Sequence, residues 1–163
     1  MDLTSPYLGL TLRNPLLAGA SPLSRTVDGV CRLDDAGVGA VVLHSLFEEQ
    51  VRAEAERTAR LAAQGAETYA ESLSYFPADI GGKDVSHRYL RLLERAASAV
   101  DIPVIGSLNG ANPGGWSRYA RSIQDAGAAA IELNIYYLPG DPYVDARGVE
   151  NRHVDIVAAV KQA

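Results

Sequence analysis

The sequence predicts an α/β chain of the (β/α) barrel type, in which four βα units, half of a TIM barrel, follow a short N-terminal hairpin within one partial domain spanning 1–163. Three observations predict it. Short apolar runs alternate with amphipathic segments, the pattern of parallel strands joined by right-handed helical crossovers. Asp35-Ala36-Gly37-Val38-Gly39-Ala40-Val41 recurs about ninety residues later as Asp125-Ala126-Gly127-Ala128-Ala129-Ala130-Ile131. Each copy places a glycine after a helix and small residues before an apolar strand. Finally, polar residues stand at the end of every run, at Ser21, His44-Ser45, Asn109 and Asn134, as on a shared barrel mouth. A doubly wound sheet is the alternative, but no Gly-x-Gly-x-x-Gly follows the first strand.

Residues 7–13 alternate apolar and polar positions, as a hairpin strand does, and end at Asn14-Pro15. They read as a lid rather than core. The apolar run Pro15 to Ala20 is a buried strand closed by Ser21-Pro22. Thr26 or Asp28 can cap the next helix, with Val30 and Leu33 on one face and Gly37 at its end. Val38 to Leu43 is the second strand. The segment Glu48 to Gln64 reads as a solvated helix with a thin stripe of Val51, Ala55, Ala59 and Ala62 or Ala63. From Gly65 to His87, Tyr75-Phe76-Pro77 and Gly81-Gly82 show no sustained period, so this stretch reads as a long connection able to fold over a site.

Tyr89, Leu93, Ala96, Ala97 and Val100 then repeat at helical spacing until Asp101-Ile102-Pro103 stops them. Val104 to Leu108 is the third strand, ending at Asn109-Gly110 and Asn112-Pro113-Gly114-Gly115. Trp116, Tyr119, Ala120 and Ile123 share a helix face, which assigns the single Trp to packing. The fourth strand delivers Asn134 to an aromatic, Pro- and Gly-punctuated loop. A last helix carries His153, Ile156, Val157 and Val160 on one stripe, with His153 partly buried.

Composition excludes several classes. The hydrophobic share of 47% and the charged share of 21% are those of an ordinary globular domain. A net charge of -5, with no long Lys/Arg run, argues against nucleic acid as a partner. The N-terminus lacks the basic and apolar regions of a signal peptide, and no apolar run reaches the ~18 residues of a membrane span, so no membrane partner and a cytoplasmic location are expected. The lone Cys31 falls in a helix and reads as a small buried hydrophobe.

Four strand-end motifs carry a resemblance. Asn14-Pro15-Leu16-Leu17-Ala18-Gly19-Ala20-Ser21, His44-Ser45, Ser107-Leu108-Asn109-Gly110 and Glu132-Leu133-Asn134-Ile135, in this order and spacing, resemble the dihydroorotate dehydrogenase family and most closely its dehydrogenase-like branch. The resemblance runs along nearly the whole chain. It implies FMN at the C-terminal mouth of a barrel, with hydride passing between a small dihydropyrimidine-like substrate and the flavin in chemistry related to pyrimidine biosynthesis. It implies Ala20, Ser21, His44, Ser45, Asn109 and Asn134 as cofactor-binding residues, with Asn134 also reaching substrate. Fixed donors suit such a reaction because a flavin's carbonyl edge gains charge as the ring accepts hydride.

The chain departs from the family at three places. His44 stands where a lysine is usual, Tyr137 stands at the position of the catalytic Cys or Ser base, and Leu73-Ser74-Tyr75-Phe76-Pro77 lies near where an Asn-rich substrate loop is expected. A tyrosine ordinarily titrates near about 10 and is a poor base at neutral pH, which points away from dihydroorotate itself as substrate. A complete barrel takes about 250 residues, and in the family the second half supplies a flavin-contacting lysine and the phosphate site. The expected partners besides a small-molecule substrate are therefore a second copy, as a homo-oligomer, or a missing C-terminal half-barrel. A non-catalytic, truncated or self-assembling half-barrel is the alternative to an enzyme. A third reading, a barrel enzyme acting on a phosphorylated metabolite, lacks a phosphate-binding Gly loop in these four units.

Overall fold

A computed structural model of the protein describes residues 1–68, 85–110, 113–137 and 140–162, with the backbone alone described at 61–68 and 113–118. The Leu73-to-Pro77 segment, Gly81-Gly82 and Asn112 lie outside the described residues, as do the side chains of Ala62, Ala63 and Trp116.

The chain begins with an antiparallel hairpin of β1 (Ser5–Tyr7) and β2 (Leu10–Leu12). Its two-residue turn, Leu8-Gly9, has positive φ at both positions, the conformation that matches strand twist in tight hairpins. This hairpin is not a lid. Leu12 is 1% exposed and packs with Ala40, Val42 and Ile105. These residues stand near the N-terminal ends of the strands, so the hairpin closes the floor of the sheet's inner face.

Four parallel rows follow in chain order. β3 (Leu17–Ala18) pairs with β4 (Ala40–Val42), β4 with β6 (Val104–Gly110), and β6 with β7 (Ala130–Ile135). A short β5 (Leu46–Phe47) continues the β4 row beside the far end of β6. Neighbouring rows are sequential, as in a singly wound barrel wall, and not reversed about a switch point as in a doubly wound sheet. Helices α1 (Val27–Asp35), α2 (Glu48–Thr68), α3 (Val85–Ala99), α4 (Pro113–Asp125) and α5 (Ala146–Gln162) accompany them.

The internal repeat has a shared structural cause. At the end of α1, Gly37 N donates to Asp34 O and Val38 N to Leu33 O. At the end of α4, Gly127 N donates to Gln124 O and Ala128 N to Ile123 O. Both are Schellman endings, which place the glycine in the left-handed region, at φ 92 and 93. Two residues on, Gly39 N donates to Leu16 O and Ala129 N to Val104 O, so each copy feeds its strand onto the preceding one.

The main core lies between the sheet's outer face and the helices. Val41, Leu43, Leu46, Val104 and Leu108 meet Val30 of α1, Tyr89, Leu93 and Ala96 of α3, Ile123 of α4 and Ile156 of α5. Each fully buried Leu or Ile here is worth about 1.5–3 kcal/mol. Some helix expectations shift. α2 extends four residues beyond Gln64, and α3 already begins at Val85. Ala55 and Ala59 are exposed, so among the described side chains the expected α2 stripe reduces to Val51, beside Glu54, whose carboxylate accepts from Val85 N at 2.7 Å at the start of α3. Val157 is also exposed, while Ile156 is buried. Thr26, not Asp28, caps α1, its Oγ1 accepting from Gly29 N at 3.1 Å.

Candidate functional site

Strand periodicity sorts β6 into two faces. Val104 and Leu108 face the helices, as does Gly106, where an added Cβ would come within 2.5 Å of Ile123 Cγ2. Ile105, Ser107 and Asn109 therefore face inward. On β7 the same alternation turns Ala130, Glu132 and Asn134 inward, and the register sets Ser107 beside Glu132 and Asn109 beside Asn134. The inner face is thus apolar at its floor and polar in two rungs toward the strands' C-terminal ends.

The lower rung is hydrogen-bonded across three rows. Ser45 Oγ lies 2.9 Å from Ser107 Oγ, which donates to Glu132 Oε1 at 2.7 Å. Asn134 Nδ2 donates to the same Oε1 at 3.0 Å. Both donors converge on one carboxylate oxygen, and no donor among the described residues reaches Oε2. Glu132 also has no ion-pair partner among them. A half-buried carboxylate oxygen without a donor among the described residues can accept hydrogen bonds from a ligand.

A bulge explains why His44 and Ser45 part company. Val42 pairs with Ile105 and Leu46 with Leu108, so one extra residue is accommodated between them in the β4–β5 row. The extra residue is His44. Its ring packs edge-on against Tyr89 of α3, with centroids 5.3 Å apart, while Ser45 turns inward. Burial, and then the charge of Arg25, lower the His44 pKa below its ordinary 6.5, against an opposing hydrogen bond that the ring donates to the Ser24 backbone carbonyl. Its Nδ1 is buried without a partner among the described residues, which fits a neutral imidazole.

The same bulge opens a gap in the ladder. Val41 N donates to Pro103 O and Leu43 N to Ile105 O, so odd-numbered residues of β6 direct their backbone groups at β4. At Ser107 the row has bent away, and the Tyr89 hydroxyl takes its place, accepting from Ser107 N at 2.7 Å and donating to Ser107 O at 3.3 Å. Burial pushes the Tyr89 pKa up to about 12, the hydrogen bond to Ser107 opposing and the nearby Glu132 carboxylate adding to the rise. The phenol stays protonated and acts as a fixed brace behind the polar rungs.

The remaining sequence candidates are placed separately. Ser21 caps the short 3-10 turn Pro22–Ser24, its Oγ accepting from Leu23 N at 3.3 Å. Ala20 is exposed, and a Cβ built at the adjacent Gly19 would meet nothing within 4 Å, so the space above β3 is open. Tyr137 lies beneath the Arg152 guanidinium of α5, 4.3 Å from the ring centroid. The structure thus joins Ser45 and Asn134 in one network with Asn109 alongside, and sets His44 and Tyr137 against helices. Ser107 and Glu132, central to the network, stand inside two of the strand-end motifs, and the sequence does not single them out. Glu132 is two residues before Asn134, hence on its face, and that spacing was the available signal.

No protein-family model matches the chain. Among solved structures, a dihydrodipicolinate synthase from Bacillus anthracis superposes with a TM-score of 0.50 at 17% identity, covering 88% of this chain and 42% of that one. PhdJ, solved with a substrate intermediate bound, superposes with a TM-score of 0.50 at 13% identity, covering 98% and 42%. The chain therefore has the α/β fold of TIM-barrel enzymes and spans less than half the length of these two. In sequence, it is 38% identical over 45 residues to a protein of Aeropyrum pernix named "Putative dihydroorotate dehydrogenase A (fumarate)", a match covering 28% of this chain and 15% of that protein. No described helix is long and apolar enough to cross a membrane.

Proposed function

We propose that the chain forms the flavin-facing wall of an FMN-dependent oxidoreductase of the dihydroorotate dehydrogenase kind, acting on a small dihydropyrimidine-like substrate. The reading rests on the inner-face polar network, Ser45, Ser107, Glu132 and Asn134, at the strands' C-terminal ends. The 38% likeness over 45 residues to a protein named as a putative dihydroorotate dehydrogenase supports the reading. The residues suit a flavin's ring in kind: Asn109 and Asn134 offer amide donors and acceptors, and the space over Gly19 and Ala20 is open to a flat group. The phosphate would fall to residues outside these four units.

When bound, FMN supplies a hydride acceptor whose polar edge gains charge on reduction. Asn109 and Asn134 would hold that edge, oriented by Glu132 and the register of β6 and β7. Ser45, bonded to Ser107, would add its hydroxyl to the same cofactor-facing wall. Proton transfer needs an acceptor at the mouth. Tyr137 stands at the family's base position but is held under Arg152, whereas Glu132 presents a carboxylate oxygen with no donor among the described residues, so the geometry favours Glu132 for that role. Purified protein should show the near-ultraviolet and blue absorption of oxidised flavin, or acquire it on adding FMN and retain it through gel filtration. Colourless protein that retains no FMN refutes the reading.

A second reading has its own observation. Among the described strands β7 pairs on one side only, with β6, and an open strand edge is a template for another strand. A self-assembling half-barrel, or one completed by a separate half-barrel, would use that edge. Light scattering at several concentrations tests the first of these. A monomer throughout speaks against self-assembly.

A further inference from the structure

Away from the inner face, the N-terminal turn of α1 and the exposed side of α3 enclose a cleft of about 380 Å³ lined by Arg25, Asp28, His87, Arg88, Arg91 and Arg95. Four of the chain's fifteen Lys and Arg residues thus meet in one place, in a protein whose net charge is -5. We propose that this cleft binds a small phosphate-bearing dianion, independently of the flavin reading.

Among the described residues, compensation inside the cleft is slight. Arg88 approaches Glu54 at 3.7 Å and Arg91 approaches Glu94 at 3.8 Å, both through largely exposed guanidinium groups. Such pairs are worth little. Among the described residues Arg25 and Arg95 form no ion pair, and Asp28 is the single acidic residue lining the cleft.

The backbone adds to this field. Thr26 and Val27 line the cleft at the start of α1, where the Thr26 side chain already satisfies Gly29 N. The first turn of a nine-residue helix thus borders the same space as the arginines, and the partial positive charge of a helix N-terminus favours an anion there. Guanidinium groups are planar forks suited to two phosphate oxygens at once. A lone carboxylate would use one such fork, whereas a phosphate group can engage several, which is why the ligand class is a phosphate ester or phosphate and not a simple acid.

Calorimetric titration with inorganic phosphate, pyrophosphate and acetate at constant ionic strength tests the proposal. One saturable site is expected for both phosphates and none for acetate. The double variant Arg25→Gln/Arg95→Gln should weaken phosphate binding about tenfold or more, while Arg60→Gln, on the exposed side of α2, should leave it unchanged. Absence of saturable phosphate binding, or equal losses in both variants, overturns the proposal. If the double variant does not fold, proton NMR of the native protein decides. Added phosphate should move the His87 ring signals and leave those of His153 on α5 in place, and unmoved His87 signals overturn the proposal.

Discussion

Replacing Tyr89 with Phe isolates the brace behind the candidate site. The change keeps the ring and its packing against His44 and removes only the hydroxyl that fills the gap opposite Ser107. Ser107 is 0% exposed, so its N–H loses a 2.7 Å bond with no water to replace it. An unsatisfied buried donor costs about 1–3 kcal/mol, and the longer bond to Ser107 O adds a smaller amount. The expected total is about 2–3 kcal/mol, or roughly 4–12 °C in Tm for a chain of this size. Urea denaturation followed by circular dichroism measures it, with an unchanged m-value showing that the unfolded state is unaltered. A loss below about 0.5 kcal/mol would refute the reasoning, because the bulge would then leave no gap that needs filling.

Other consequences follow from the same geometry. Gly106→Ala would force a Cβ against Ile123 and should destabilise by about 1–3 kcal/mol in the same denaturation assay; an unchanged midpoint would mean that β6 and α4 are not in direct contact. Leu12→Ala should cost about 2–5 kcal/mol if the hairpin closes the floor, whereas a surface lid would lose well under 1 kcal/mol. The pKa of His44 is depressed on folding, so its contribution is present above the unfolded value of about 6.5 and is lost as pH falls through the folded value. Stability should therefore fall as pH drops below the ordinary 6.5 of the unfolded ring, with a shallower slope in His44→Gln, and equal slopes would contradict the burial of that ring.

The repeat made the wall legible from sequence. Gly37 and Gly127 end helices in the left-handed conformation, and the small residues after them start strands, because these are local backbone requirements. Alternating units alone fit a doubly wound sheet as well, and the barrel order was read from the polar residues at every strand end and the absence of Gly-x-Gly-x-x-Gly after the first strand. The bulge was not legible, since Val-Val-Leu-His-Ser-Leu does not say which residue is extra until the row is laid beside Ile105 to Leu108. For that reason His44 and Ser45 could not be separated, although one faces α3 and the other faces the inner rungs. Glu132 shares a face with Asn134 by simple alternation, but its partner Ser107 depends on the register between β6 and β7. The hairpin's place beneath the sheet depends on the contacts of Leu12 with Ile105, far away in the chain, and its alternating pattern fits a lid equally well.

The account centres on the claim that the upper inner-face rung meets the ligand. Side-chain amide NMR signals of Asn109 and Asn134 during titration with FMN report on that claim most directly. The account predicts that both signals shift together and saturate at one equivalent, and that Glu132→Gln alters the Asn134 signal before any FMN is added. Saturable FMN binding that leaves both amides unmoved would contradict it.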